Sequence, residues 1–219
     1  MRTVLGGLLV WICGFPETCA AQTVTAEQLT HRVPAGAARE YRASLQALSK
    51  GDLARSIAHC RKAIESDPAN ASAHNDLGIL YLQSNQPEEA LREFERAVSI
   101  QPGWGTAHIN ASYAALALGR PREAESAAQR ALEISRNNHR AHLLLGWSLV
   151  AQYRYSNAAV ESLRIAEREF PEAHLAIADV LMHQGSLAAA REEVEKYLAT
   201  KDPEHKPLAE AWLRMLTMD

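Results

Sequence analysis

A period of about 34 residues runs through most of this sequence, and the repetition constrains the fold more than any other feature. The small residues that recur with this period are Ser56, Ala90, Ala124, Ala158 and Ala190. Successive members of the series are 34, 34, 34 and 32 residues apart. A period of this length is typical of a solenoid, in which each supersecondary unit buries its apolar face against the next.

Each period is predicted to contain two helices joined by a turn. The turns are expected at five positions with the same spacing, namely Gly51, Asn85, Gly119, Tyr153 and Gly185. Glycine and asparagine accept the left-handed backbone conformation that commonly ends a helix. Tyrosine adopts this conformation much less readily, so we expect a differently shaped turn at Tyr153.

The second period carries a specific motif, formed by His74, Leu77, Gly78, Tyr81, Ala90, Phe94, Ala97 and Pro102. In residue type and spacing the motif resembles the tetratricopeptide repeat, whose pattern is W-x2-L-G-x2-Y, then A-x3-F, then P. It differs at the first position, where His74 replaces the usual tryptophan. The resemblance implies an all-α fold, a right-handed α-solenoid of five helical hairpins with a concave inner surface that binds other proteins.

The repeat also predicts the domain boundaries. The five hairpins are expected at residues 37–70, 71–104, 105–138, 139–170 and 171–204. Residues 22–36 show no periodicity and are predicted to be a lead-in or linker. Residues 205–219 are predicted to form a capping helix that covers the last apolar face. The inward side of this cap is expected to carry Leu208, Trp212, Met215 and Leu216.

Small residues indicate where the two helices of a hairpin approach closely. On the first helices these residues are Gly78, Ser112 and Gly146. On the second helices the matching residues are Ala90, Ala124 and Ala158.

The N-terminus has the pattern of a secretory signal peptide. Arg2 gives a basic start, Val4 to Phe15 form an uncharged apolar stretch, and small residues follow. This order predicts a signal peptide at residues 1–21, cleaved near Ala20 or Ala21, and a periplasmic or secreted mature chain. The apolar stretch is shorter than the roughly 20 residues that span a bilayer. The alternatives are an uncleaved membrane anchor and a buried N-terminal helix.

The family resemblance implies that partner peptides lie along the first helices of successive hairpins. The residues that it places on this surface are Asn75, Ile79, Ile109, Tyr113, Arg140, Leu143, Trp147 and Asp179. Tyr113 and Trp147 are the expected anchors, because Tyr and Trp contribute strongly to protein interfaces. The surface is expected to be mostly apolar.

One subclass of the family grips an acidic C-terminal carboxylate with lysine, arginine and asparagine side chains. Asn75 and Arg140 are present here, but the lysines are missing. An amphipathic helix or an extended apolar segment is therefore the expected ligand.

The histidines and Cys60 are interpreted as structural. The histidines at one recurring place in the first helices are His74, His108, His142 and His174. Neighbouring helix axes are typically about 8–10 Å apart, so four such imidazoles cannot converge on one ion, and no metal site is predicted. Cys60 occupies the place that Phe94 has one period later, and it is expected in the core.

Composition and motifs exclude several functional classes. The net charge is −3, and no basic run indicates nucleic-acid binding. No phosphate-binding loop, zinc-protease helix or nucleophile elbow occurs, so neither catalysis nor a cofactor is predicted. The predicted function is an exported adaptor or scaffold that binds a peptide or helix of a partner protein. The alternatives are a self-assembling structural subunit and an accessory module of an envelope enzyme complex, and membrane contact is expected only through the signal segment.

Overall fold

The computed structural model describes residues 33–200 and 205–217, where it contains helices and no strand. The helices are α1 (Ala35–Ser49), α2 (Leu53–Ser66), α3 (Ala71–Gln83), α4 (Pro87–Ile100), α5 (Gly105–Ala117), α6 (Pro121–Ile134), α7 (His139–Ala151), α8 (Asn157–Ala166), α9 (Ala173–His183), α10 (Leu187–Leu198) and α11 (Lys206–Thr217). The signal peptide predicted at residues 1–21 lies outside the described residues. Among the described helices, none combines the length and apolar character needed to cross a membrane.

The helices belong to two compact units. The first unit ends at Leu118 and contains α1 to α5, and each of these helices packs on the next one in sequence. The second unit begins at Gly119 and contains α6 to α11, with the same consecutive packing. In addition, α3 contacts α5 in the first unit and α7 contacts α9 in the second. Packing between sequence neighbours is the pattern expected of stacked hairpins.

Short polar side chains define where several helices begin. Asp52 Oδ1 accepts a hydrogen bond from the Arg55 N–H at 3.0 Å, at the start of α2. Asn70 and Asn138 cap α3 and α7 in the same way, at 3.0 and 2.9 Å. These caps satisfy N–H groups that have no partner within the helix, and each stabilises the helix by about 1 kcal/mol.

All five predicted turns contain a residue with left-handed backbone, with φ of 73° at Gly51, 57° at Asn85, 68° at Gly119, 59° at Tyr153 and 78° at Gly185. At Asn85, the residue's own N–H donates to Leu82 O at 3.0 Å, and the next N–H donates to Tyr81 O at 2.8 Å. The same pair of bonds ends α1, α7 and α9. This is the Schellman motif, which satisfies the last carbonyl groups of the helix.

The turn at Tyr153 only partly follows its prediction. Tyr153 adopts the same left-handed conformation as the glycines, and its Schellman bonds measure 2.8 and 2.9 Å. The reason for the prediction, that tyrosine would not adopt this backbone conformation, was therefore wrong. The turn differs in length instead, because α8 begins four residues after Tyr153 whereas α4 begins two residues after Asn85.

The longer turn shifts the packing register of α8 by one residue. Ala159 is 0% exposed, whereas Ala158 is exposed to solvent. The prediction that Ala158 lies at the close approach of the two helices was therefore wrong, and Ala159 takes that role. The sequence period did not reveal the shift, because alanine occupies both positions.

Close helix approach explains the two glycines inside first helices. A Cβ atom on Gly78 would lie 2.6 Å from the Phe94 ring, and one on Gly146 would lie 2.5 Å from Leu163. Both distances are shorter than a carbon–carbon contact allows. Ser112, the equivalent residue of α5, is 0% exposed.

The last helix covers the end of the array, as predicted, although with one different residue. Leu208, Trp212 and Leu216 pack against a buried cluster that includes Val194 and Tyr197. Met215 was expected in this contact, but its side chain is 43% exposed. Its place on the inward stripe is taken by Ala209, which is 0% exposed, and by Leu213.

Candidate binding surface on the first helices

A chain of polar side chains links α1, α3 and α5 in the first unit. The Tyr41 hydroxyl donates to the Asp76 carboxylate, and the Asn75 amide donates to the other oxygen of Asp76 at 3.3 Å. Asn110 Nδ2 donates to Asn75 Oδ1 at 2.8 Å. We call these four residues the polar ladder. It fixes the orientation of neighbouring first helices, because Asn75 is only 1% exposed and its amide is held from two sides.

Three predicted binding residues flank the polar ladder. Ile79 and Tyr113 are half-buried and present part of their apolar surface to solvent. Ile109 is 7% exposed and contributes mainly to packing. Of the predicted residues in the first unit, Ile79 and Tyr113 therefore have the accessible apolar surface that a partner requires.

In the second unit the predicted residues are more deeply buried. Leu143 is 5% and Trp147 is 2% exposed, so both side chains lie in the packed interior. Arg140 is half-buried, and its guanidinium carbon lies 5.5 Å from the centre of the Phe170 ring, a cation–π arrangement. Arg140 is thus the most accessible predicted residue on α7.

Asp179 of α9 is 2% exposed. Its Oδ1 lies 3.4 Å from His183 Nδ1, and its Oδ2 is buried without a hydrogen-bond partner among the described residues. Burial disfavours the charged carboxylate and raises the pKa of Asp179 to about 6. The His183 ring stacks on Tyr155, with centroids 3.8 Å apart, and covers this side of the helix.

Asp76 and Asn110 were not predicted as binding residues, although the sequence contains a signal for them. Tyr41 and Asp76 are 35 residues apart, and so are Asn75 and Asn110. This separation is one residue more than the repeat, so each polar side chain reaches a partner one position later in the next hairpin. The expected surface was mostly apolar, and the structure adds polar groups to it.

The polar ladder also bears on the carboxylate clamp. The amide of Asn75 is already bonded to Asp76 and Asn110. An incoming carboxylate would meet the charge of Asp76 beside that amide, and like charges at short distance repel. This part of the surface is better suited to a ligand that offers N–H donors.

The recurring histidines close the loops between hairpins. His74, His108 and His142 each place Nε2 at 3.3, 2.9 and 2.9 Å from the carbonyl oxygen of the residue six positions earlier. These carbonyls belong to Pro68, Pro102 and Arg136, in the loops that precede the helices. The imidazole N–H therefore donates to a loop carbonyl that lies outside the hydrogen-bond pattern of the helices.

Like His74, whose Nδ1 lies 2.6 Å from Glu93 Oε2, His174 contacts the glutamate 19 positions later in the sequence. Its Nδ1 lies 2.8 Å from Glu193 Oε2. Arg164 and Lys196 bind the other oxygen, Oε1, at 2.8 and 2.7 Å. Hydrogen bonds from these three groups outweigh burial, which acts in the opposite direction, and lower the pKa of Glu193 to about 2.

Glu167, His174 and Glu193 place possible metal-ligand atoms within 4.8 Å of one another. Glu193 is already bonded to Arg164 and Lys196, and Arg164 also binds Glu167 at 3.1 Å. Arg164 and Lys196 thus already pair with the carboxylates that an ion would need as ligands. The cluster is a network of ion pairs that joins α8, α9 and α10.

Cys60 lies in the core as predicted. Its side chain is 1% exposed, and its Sγ lies 3.4 Å from the carbonyl oxygen of Ala73. Burial is the main reason that the pKa of the Cys60 thiol rises to about 12. The thiol is therefore neutral at physiological pH and unsuited to act as a nucleophile.

The stacked hairpins define the class of protein, which is an all-α solenoid. Two family models, both described as tetratricopeptide repeat, match the chain. One matches residues 47–112, and the other matches residues 21–71, 109–173 and 156–205. The chain belongs to the tetratricopeptide repeat family. Members of this family are scaffolds for protein interactions.

Solved structures show the same fold. YrrB, described as a tetratricopeptide repeat protein with an unusual peptide-binding site, is 22% identical, with a TM-score of 0.69 over 88% of this chain and 98% of its own. MamA from Desulfovibrio magneticus RS-1 is 12% identical, with a TM-score of 0.69 over 86% and 100%. PilW, described as a type IV pilus biogenesis factor, is 20% identical, with a TM-score of 0.65 over 84% and 91%. Comparison with curated proteins found no match.

Proposed function

We propose that this protein is an exported adaptor that binds a peptide or helix of a partner protein along its first helices and has no catalytic activity of its own. The observation that carries the proposal is the surface of the first unit. There the polar ladder holds α1, α3 and α5 in fixed orientation and leaves Ile79 and Tyr113 partly exposed beside it.

The ligand chemistry follows from these groups. Ile79 and Tyr113 offer apolar area to an amphipathic segment. The carboxylate of Asp76 offers an acceptor to backbone or side-chain N–H groups of the partner. A segment that combines apolar side chains with donor groups fits this surface better than an acidic C-terminus does.

Export is supported by the sequence before residue 22, which has the order of a secretory signal. A similar fold occurs in PilW, which is described as a type IV pilus biogenesis factor. We propose a periplasmic or secreted location. Mass spectrometry of the protein recovered from the exporting cell tests this directly: a mature N-terminus near Ala21 or Gln22 is expected, and a chain that retains residue 1 contradicts cleavage.

The binding proposal is tested by affinity capture from an envelope extract. The bait is the purified protein, and the binding variant combines Ile79→Ala with Tyr113→Ala. Trp147 is left unchanged, because truncating a side chain that is 2% exposed would leave a cavity and destabilise the fold by about 3–5 kcal/mol. The matched control combines Ile134→Ala with Ile165→Ala, which remove apolar side chains that are 45% and 39% exposed on second helices.

The expected result is one partner captured by the parent and the control but lost with the folded binding variant. Circular dichroism monitors folding of all three baits. If all three capture the same proteins, the partner does not use Ile79 and Tyr113, and the proposed surface is wrong. If the bait recovers only further copies of itself, the protein is a self-assembling subunit.

A further inference from the structure

Side-chain packing does not explain why a tyrosine occupies the left-handed position of the turn at Tyr153. A tyrosine in the left-handed conformation is less stable than glycine there by roughly 1–2 kcal/mol. The side chain is 70% exposed, although one edge of its ring meets Tyr155 at a centroid distance of 6.4 Å. Burial of the side chain therefore offsets little of the strain, and the conformation is held by the Schellman hydrogen bonds of the backbone. A strained residue whose side chain remains exposed points to a function.

Three arginine residues line the same depression as Tyr153. Tyr153 lines an open depression of about 600 Å³ together with Arg120, Arg122 and Arg154. The remaining lining residues are Pro121, Glu123, Ala151 and Gln152. All of them belong to the second unit, so the depression is part of one compact body.

The charges of this depression are partly paired and leave a positive excess. Arg154 Nη1 lies 2.7 and 2.6 Å from the two oxygens of Glu125, which orients its guanidinium group. Arg120 lies 3.6 Å from Glu123. Three guanidinium groups thus face two carboxylates, and Arg122 supplies the additional positive charge. The N-terminus of α6 at Pro121 adds to the positive potential, since helix N-termini favour anions.

We propose that Tyr153, Arg120, Arg122 and Arg154 form a second docking surface, which binds an acidic segment of a partner protein. Tyr and Arg are the residue types most enriched among the energetically dominant residues of interfaces, and here they lie side by side. Acidic side chains complement the positive excess, and an apolar side chain of the same segment fits against the exposed Tyr153 ring. If one partner binds to the first helices as proposed above, this second surface lets the protein bridge two partners. The second surface shares no residue with the surface proposed for the first partner.

The test uses a random-peptide phage library panned on the protein as purified from its cell. Selected peptides are synthesised, and their affinities are measured by fluorescence anisotropy against the parent and single variants. Peptides that bind this surface are expected to be enriched in Asp and Glu relative to the starting library. Their affinity is expected to fall by about tenfold or more in Tyr153→Gly and in Arg122→Glu, and to weaken as salt is added.

Tyr153→Gly separates binding from folding. It removes the left-handed strain, so its melting temperature is expected to equal or exceed that of the parent while peptide affinity falls. Asn85→Gly is the matched control, because Asn85 is the other non-glycine residue in the described part of the chain with left-handed backbone, with a φ of 57°. That variant is expected to bind the peptides with unchanged affinity.

Several results overturn the proposal. They are a selection that yields no peptides, peptides without acidic enrichment, and acidic peptides that bind Tyr153→Gly as tightly as the parent. Peptides lost in Tyr113→Ala but retained in Tyr153→Gly bind the first helices and also overturn it. The protein is also tested for binding to vesicles of anionic phospholipid. Vesicle binding that the acidic peptides fail to displace would assign the arginines to a membrane-binding surface and would also overturn the proposal.

Discussion

The second and fourth hairpins share the same close contact between their two helices but differ in the turn and in the length of the second helix. In both, a glycine of the first helix lies against a bulky residue of the second, Gly78 against Phe94 and Gly146 against Leu163. In both, that bulky residue comes four positions after a fully buried alanine, Ala90 or Ala159. The closest contact of the hairpin is therefore the same.

The connecting parts of the two hairpins differ. The fourth has a turn that is two residues longer, and its second helix α8 has 10 residues, whereas α4 has 14. The close contact between the two helices therefore sets the register of the second helix. Insertions and deletions are accommodated in the turn and at the helix end, where few side chains are buried.

The largest expected effect tests the register of α8. Ala159→Leu forces three additional carbon atoms into a fully buried site and is expected to destabilise the protein by about 3 kcal/mol. Ala158→Leu places the same side chain in solvent and is expected to change stability by less than about 0.5 kcal/mol. Urea unfolding of both variants measures the difference. The reverse order of stability would show that the sequence period, not the structure, gives the register.

The next largest effect, a loss of about 2–3 kcal/mol in the free energy of unfolding, is expected when the ion pairs of Glu193 are removed. The pKa of Glu193 is lowered to about 2, against an ordinary value of 4.5. A lowered carboxyl pKa stabilises the fold fully above pH 4.5, and this contribution is lost as the pH falls toward 2. Glu193→Gln is therefore expected to lose most stability near neutral pH and to approach the parent under acid conditions.

Glu93 of the second hairpin is the matched control for Glu193. It bonds to His74 at 2.6 Å, and its side chain is 25% exposed compared with 2% for Glu193. Glu93→Gln is expected to reduce stability by about 1 kcal/mol or less. Urea unfolding over a pH series compares the two variants. Equal losses of stability in the two variants would contradict the larger contribution of the ion pairs around Glu193. A loss of stability in Glu193→Gln that does not decrease at acid pH would contradict it as well.

The smallest change in stability is expected when the glycine at the close contact of each hairpin is replaced by alanine. Gly146→Ala and Gly78→Ala introduce overlaps that destabilise by about 1–3 kcal/mol, but alanine also favours the helix by about 1 kcal/mol. A net loss of about 1 kcal/mol is expected for each. Gly36→Ala is the control, because nothing lies within 4 Å of a Cβ atom there, and it is expected to stabilise α1. A stabilising Gly146→Ala would contradict the close contact with Leu163.

Much of the fold could be predicted because the repeat carries the same local signals in every unit. Asn70 and Asn138 cap helices wherever they occur, and Gly51, Asn85 and Gly185 end them through their tolerance of positive φ. The candidate surface was less predictable. The pairing of polar residues across neighbouring helices depends on how those helices are offset along their axes. This offset pairs Tyr41 with Asp76 and Asn75 with Asn110, each 35 residues apart in sequence.

The sequence by itself determined the class of the protein and the place of its helices, because helix caps, turn residues and apolar stripes are local properties that recur with the period. Only the tertiary structure decided that Ala159 and not Ala158 is buried, and that Trp147 lies in the interior. It also decided that Tyr153 takes a glycine's backbone conformation beside three arginines. These outcomes depend on contacts between helices distant in sequence, which a local pattern does not encode.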